Sequence, residues 1–451
     1  MNLLSTCQLL VNPAVNPARM LNDVTLTSYF RTPHHATTDV DISSVAFWQR
    51  DFRSRDDAFR RLRRSVPVSW HPPLQTPGLP KRYREAGFWA VTTAEAIAHI
   101  SRQPEVFSSE IGQVGVRPAP FRLSANMLVT DPPRHSEYRR LIGSAFTPRA
   151  VARLEHGIKR RAMQIVGRAA LHEEFDFVAE IATQLPMGTI ADLIGVPEAE
   201  HERFVQLADA YVHTRVPSDL QGHSASEFVA NSGEYLRELC LRLCSERRRE
   251  PADDLITALV QGSLEGHPMG EEEILSTVLL LITAGDDTTT QATTLSFLAL
   301  QQFPEQREWL SADFDARFDT AFDELIRFAS PVLSFARTAT SDTEFDGQHV
   351  TAGDKVALFY CSGNRDETLF PDPHSLDLTR QPNRHVAFGG GGVHYCLGAA
   401  LAKTQIHAVL GEVLRRLPEV ELGEPEFGFS DAIHSVDALA VRNSNHRRGG
   451  A

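Results

Sequence analysis

Cys396 follows four consecutive glycines in the run Phe388-Gly389-Gly390-Gly391-Gly392-Val393-His394-Tyr395-Cys396-Leu397-Gly398. Leu397, Leu401, Leu410, Leu414 and Leu417 recur at helical spacing up to Pro418, so the cysteine is expected at the start of an amphipathic helix. There, unpaired backbone N–H groups and the positive end of the helix dipole favour a thiolate, lowering a pKa whose reference is about 8.5. The glycines permit a tight turn that would bring N–H groups towards the sulfur. Such a thiolate is either a nucleophile or a metal ligand, and the loop by itself leaves both open.

Other clusters could also do chemistry. Ala284-Gly285-Asp286-Asp287-Thr288-Thr289-Thr290 places weak helix formers inside a long apolar helical pattern, which predicts a local distortion able to approach a ligand, or else a helix end at Gly285. His135 and Arg139 are four apart on one predicted helix face, two donors suited to a carboxylate or phosphate or a solvated basic helix. Arg337 follows Pro331, and His394 stands two before Cys396. Glu324 and Arg327 are three apart, a surface pair unless buried. Cys240 and Cys244, four apart with no second pair, read as buried small apolar residues.

These residues need a large scaffold. The chain has 451 residues and a formal net charge of −13, which argues against a nucleic-acid protein. Its five cysteines lack CxxC spacing, which points to a reducing compartment and away from a zinc ribbon. No run approaches the roughly 20 apolar residues of a membrane span, so a cytoplasmic protein is expected. Helical spacing predominates: helices are expected over Trp48–Ser65, Ala94–Ser101, Asp131 to about Gly143, Leu154–Leu171, Val178–Leu193, about Glu271–Phe303 and Phe318–Phe328. Two more flank a loop between 200 and 250. Strands are expected at Gly87–Val91 and Lys355–Cys361, with an Asp346-Gly347 hairpin over Thr343–Val350. The expected fold is mainly α with a small β-rich portion: a loosely ordered extension over 1–44, then one domain over 45–451.

The order of the motifs carries more than any one of them. Asp131-Pro-Pro-x-His-x-x-x-Arg139, Ala284-Gly285-x-Asp287-Thr288-Thr289, Glu324-x-x-Arg327, Asn364-Arg365-Asp366-Glu367 and the Cys396 loop together resemble a bacterial, actinobacterial-type cytochrome P450. The likeness runs from about residue 45 to the end. It implies a triangular helical body enclosing haem b (iron protoporphyrin IX), with Cys396 as the axial ligand of the iron. It implies His135, Arg139, Arg337 and His394 as partners of the haem propionates, and Phe388 packed near the sulfur. Ala284 and Gly285 would leave room on the distal face, and Asp287 and Thr288 would deliver protons there. Glu324, Arg327 and Arg380 would form the buried network that fixes the cysteine loop. The usual loop has seven steps from phenylalanine to cysteine; here there are eight, through one extra glycine. Some steroid and branched-lipid hydroxylases resemble this variant. Lys403 stands where arginine is common.

By the same resemblance the expected activity is insertion of one oxygen atom from O2 into a lipophilic small molecule, such as an intermediate of secondary metabolite biosynthesis. Steroid or branched-lipid hydroxylation in catabolism, or a peroxide-driven peroxygenase, are the alternatives. NAD(P)H would supply electrons through ferredoxin reductase and ferredoxin, and a monomer is expected. A haem gas sensor and a cysteine hydrolase are competing classes. Pocket residues are expected from the segment holding Arg117, Phe121, Arg122 and Met127, a mixture of polar and apolar groups.

Overall fold

A computed structural model describes residues 37–80, 85–111, 114–118, 126–213 and 224–444. The helices that position the site are α1 (Phe52–Ser65), α2 (Ala94–Ser101), α3 (Arg134–Gly143), α4 (Pro148–Ala169), α5 (Gln184–Ile194), α6 (His201–His213), α7 (Ala225–Arg249), α8 (Glu271–Gln302), α9 (Phe314–Ala329) and α10 (Ala399–Arg416). Local sequence sets their ends. Asp51 caps α1 by accepting from Ser54 N, Thr147 caps α4 with Pro148 in its first turn, and Ser224 and Glu227 form a reciprocal box on α7. Each satisfies N–H groups that a helix start leaves open. Ser330 ends α9 at φ 44°, a left-handed position that turns the chain out of the helix.

Three expected elements are divided. The helix over Trp48–Ser65 is two, Val45–Trp48 and α1, because Asp51 starts a new one. The helix over Val178–Leu193 is a π-helical turn at Val178–Ala182 followed by α5. The strand over Lys355–Cys361 stops at Leu358, and Tyr360–Gly363 is helical.

α8 is continuous over 32 residues, so neither the distortion nor the helix end expected at 284–290 occurs. The hydroxyls of Thr283, Thr288, Thr293 and Thr294 each donate to the carbonyl four residues back. Bonded to their own helix in this way, they leave its backbone ladder intact. The first half of α8 packs with α3, α5, α6 and α7 in one apolar core. Its second half packs with α4, α9 and α10 in another. A helix enclosed on most sides is apolar on most sides, and its polar residues therefore stand out.

The main sheet has β1 (Val68–His71), β2 (Phe88–Val91), β3 (Phe107–Ser108), β4 (Phe335–Ala339) and β5 (Lys355–Leu358), in the order β1-β2-β5-β4-β3. β5 runs parallel to β2, Ala357 opposite Ala90, and antiparallel to β4, Val356 opposite Arg337. The predicted hairpin forms, with Asp346 and Gly347 both at positive φ. Val40 and Ile42 lie buried in the core around Phe47 and Phe359, so the packed body begins before the boundary expected at residue 45. Among the described residues, no helix is long and apolar enough to cross a membrane.

Candidate functional site

The four glycines that precede Cys396 all adopt left-handed backbone, with φ of 101°, 71°, 97° and 76° at Gly389, Gly390, Gly391 and Gly392. Other residues adopt such angles only at a cost. The turn rests on α2: a Cβ on Gly390 would stand 3.2 Å from Ala98 Cα, and one on Gly392 would stand 1.9 Å from Ser101 O. The extra glycine is thus absorbed in the turn, and the loop still closes. Cys396 N donates to Phe388 O at 3.0 Å, and Gly389 N to Val386 O at 2.9 Å. Phe388 stacks on Phe322 of α9, with ring centroids 6.1 Å apart.

The N–H groups acting on the sulfur belong to Gly398 and Ala399 at the start of α10, not to the glycine run. Burial outweighs them and the nearby Arg139 cation, and pushes the Cys396 thiol above its ordinary value. That reverses the lowered pKa expected from the helix start. Cys396 nevertheless keeps accessible surface. A raised thiol is a weak nucleophile at neutral pH, whereas a coordinated metal ion deprotonates a thiol outright.

Four basic side chains gather beside this loop. The rings of His135 and His394 are 4.3 Å apart. Arg139 Nη1 donates to Tyr395 O at 2.8 Å, and Arg337 Nη1 to Ala336 O at 2.8 Å. Burial, then Arg139, holds His135 down at about 4; burial, then Arg337, pushes His394 far below its usual value. Both ring nitrogens of His135, and Nε2 of His394, are buried and find no hydrogen-bond partner among the described residues. Two arginine cations beside buried imidazoles whose nitrogens find no partner suit an anionic ligand.

α8 carries the acid and the alcohol. Asp287 is buried, and its Oδ1 accepts from Gln291 Nε2 at 3.4 Å. Thr288 Oγ1 donates to Ala284 O at 2.8 Å. Ala284 is exposed although α8 is buried to either side, so the helix borders open space there. Gly285, expected beside it, turns its open side elsewhere: a Cβ would stand 2.9 Å from Ile190 Cδ1. Its missing side chain lets α5 approach α8.

Glu324 and Arg327 are wholly buried and paired twice at 2.7 Å. Arg380 Nε joins Glu324 Oε1 at 3.1 Å, and Asn383 Nδ2 donates to Glu324 Oε2 at 3.0 Å. Arg327 Nη1 donates to the carbonyls of Asn364 and Pro373 at 2.8 and 3.0 Å. The pair is therefore buried and not on the surface, and every partner but the first lies far along the chain. Asn364 appears in the sequence motifs without a role, and nothing around Asn383 marks it. Arg117, expected among the polar residues of the pocket, pairs with Asp431 at 2.7 Å and donates to Gln75 O. Phe121 and Arg122 lie outside the described residues.

A thiol at a helix start beside two histidines and two arginines, with a separate helix that carries a carboxylate and a hydroxyl, suits a haem-thiolate type of protein. The chain belongs to the cytochrome P450 family and is a cytochrome P450 monooxygenase. The family's model, Cytochrome P450, matches residues 198–422. A methyl-branched lipid omega-hydroxylase of Mycobacterium tuberculosis is 38% identical over 415 residues, which is 91% of this chain and 96% of that protein. A steroid C26-monooxygenase of the same organism is 33% identical over 380 residues, 82% of this chain and 84% of that one. Among solved structures, a Mycobacterium marinum cytochrome P450 in complex with pseudoionone superposes with a TM-score of 0.82. It is 41% identical and covers 90% of this chain and 99% of its own. The family implies a haem iron, and the orphaned donors of His135 and His394 suit its carboxylates.

Proposed function

We propose that the protein hydroxylates a methyl-branched aliphatic chain on a lipophilic molecule, using O2 and electrons from NAD(P)H passed through ferredoxin reductase and ferredoxin. The observation that carries this reading is the match to the methyl-branched lipid omega-hydroxylase, which spans nearly the whole of both chains. The steroid C26-monooxygenase match supports a second substrate class, a steroid. Cys396 would be the axial ligand of haem b, with His135, Arg139, Arg337 and His394 holding the propionates and Phe388 packed beside the loop. Bound haem with a thiolate ligand supplies O2 activation and O–O cleavage.

The chain's own residues do the rest. Ala284 leaves room beside α8. Asp287 is the buried carboxylate that would relay protons, and the Thr288 hydroxyl, which can donate and accept at once, would pass them on. Glu324, Arg327 and Arg380 hold the segment before the loop and take no part in proton transfer.

The test has two parts. The reduced carbon monoxide complex should show the red-shifted band of a thiolate ligand, and Cys396→Ser should lose it; a band that persists in the variant refutes the ligand. Titration of the haem protein with a methyl-branched fatty acid, a cholesterol-type steroid and pseudoionone should then rank the branched acid first by spectral shift. Turnover should require ferredoxin and its reductase. Product formed equally well with hydrogen peroxide alone would favour a peroxygenase.

A further inference from the structure

Asp286, the neighbour of Asp287, serves none of the roles above. It is wholly buried on α8, and its Oδ2 lies 2.7 Å from Nε2 of His213, in the last turn of α6. Asp209 stands one turn earlier on the same face of α6, its Oδ1 4.0 Å from the same Nε2. One ligand atom from each of the three residues falls within 4.8 Å of the other two. The second oxygen of Asp286, Oδ1, is buried and has no hydrogen-bond donor among the described residues. A buried carboxylate with an unused oxygen is costly unless something positive meets it.

We propose that Asp209, His213 and Asp286 form a site for a divalent cation of the zinc class at the junction of α6 and α8. Two carboxylates and an imidazole converge there, a donor set that draws a cation. The donors fit as well. Zinc accepts imidazole nitrogen and carboxylate oxygen at about 2.0–2.2 Å, so neighbouring ligand atoms on a tetrahedral ion are about 3.3 Å apart. The observed separations of 2.7 and 4.0 Å bracket that value, and small side-chain adjustments reach it. Magnesium and calcium prefer all-oxygen shells. The side chains of Asp209 and His213 are 21% and 10% exposed, which leaves a route for the ion and a position for water. An ion held here pins the end of α6 to α8 one residue from Asp287.

The site is tested with tag-free, haem-loaded, full-length protein titrated with Zn2+ against a chromophoric chelator. The wild type should take up one equivalent that Asp286→Asn and His213→Gln bind at least tenfold more weakly. Asp286→Asn preserves shape, and haem content and far-ultraviolet dichroism confirm that each variant is folded. Should one variant fail to fold, the other decides. Zinc binding that is absent in the wild type, or equal in wild type and folded variant, overturns the site and leaves His213 and Asp286 as a hydrogen-bonded pair only. Displacement of the zinc by an equal concentration of Mg2+ overturns the assignment of its class.

Discussion

Asn364 ties the buried charge network to the cysteine loop: its Oδ1 accepts from Val386 N at 2.8 Å, while its carbonyl accepts from Arg327 Nη1 at 2.8 Å. Its amide nitrogen donates to Ser330 Oγ at 2.9 Å. One side chain thus links the end of α9 to the irregular segment that leads into Phe388. Asn364→Ala leaves a buried N–H without an acceptor, an expected cost of about 1–3 kcal/mol. The loss should appear as a lower urea midpoint together with faster haem release to apomyoglobin. A variant that loses stability but keeps its haem would dissociate Asn364 from the loop.

Removing one partner of the Glu324–Arg327 pair is expected to be worse. Both side chains are wholly buried, and an uncompensated buried charge costs about 3–5 kcal/mol. Arg327→Ala also strands the carbonyls of Asn364 and Pro373. We expect the urea midpoint to fall by about 1 M or more, or the protein to fail to retain haem. Stability within 1 kcal/mol of wild type by urea titration would contradict the buried role.

The glycines of the loop should differ in tolerance. Gly392→Ala sets a methyl 1.9 Å from Ser101 O, so backbone must move. At Gly389 the nearest atom is 3.6 Å away, leaving mainly the left-handed strain of about 1–2 kcal/mol. Equilibrium unfolding of the two variants should place Gly392→Ala well below Gly389→Ala; the reverse order would mean that the loop does not pack on α2 as described.

Under the proposed proton route, Thr288→Ala should uncouple turnover. Product per NAD(P)H consumed should fall about tenfold with the excess appearing as peroxide, while Asp287→Asn should slow turnover itself by about 10²-fold or more. Parallel assays of NAD(P)H, peroxide and product separate the two. Unchanged coupling in Thr288→Ala would remove that residue from the route.

His434 predicts a pH effect on stability. It is buried, stacks on Phe52 with centroids 4.5 Å apart, and its Nδ1 donates to Ala329 O at 3.0 Å. Burial pushes its pKa down to about 3, against about 6.5 in the unfolded chain. Between those values the unfolded state binds a proton that the folded state refuses. Stability from this residue is therefore fully present above pH 6.5 and is lost as pH falls towards 3, at about 1.4 kcal/mol per pH unit. His71, held at about 4 by burial, adds to the same slope. Urea titrations between pH 7 and 5 should be flatter for His434→Asn than for the wild type by about one proton; identical slopes would refute this.

By itself, the sequence determined what depends on short range. Helical periodicity around Ala94–Ser101, α8 and α10, the Asp346-Gly347 turn, and the cysteine behind its glycines are all local patterns, and the ordered motifs carried the family. Tertiary structure decided whatever depends on which distant groups meet. Burial set Glu324–Arg327 at the centre of a network that also takes in Asn364 and Asn383, to which the motifs gave no role, because desolvation is a property of the whole fold. The direction of the Cys396 shift changed for the same reason, since crowding around the sulfur outweighs the N–H groups of its own helix. Gly285 faces Ile190 only once α5 crosses α8. And nothing within 73 residues of chain hints that His213 and Asp286 touch; only the crossing of α6 over α8 brings them together.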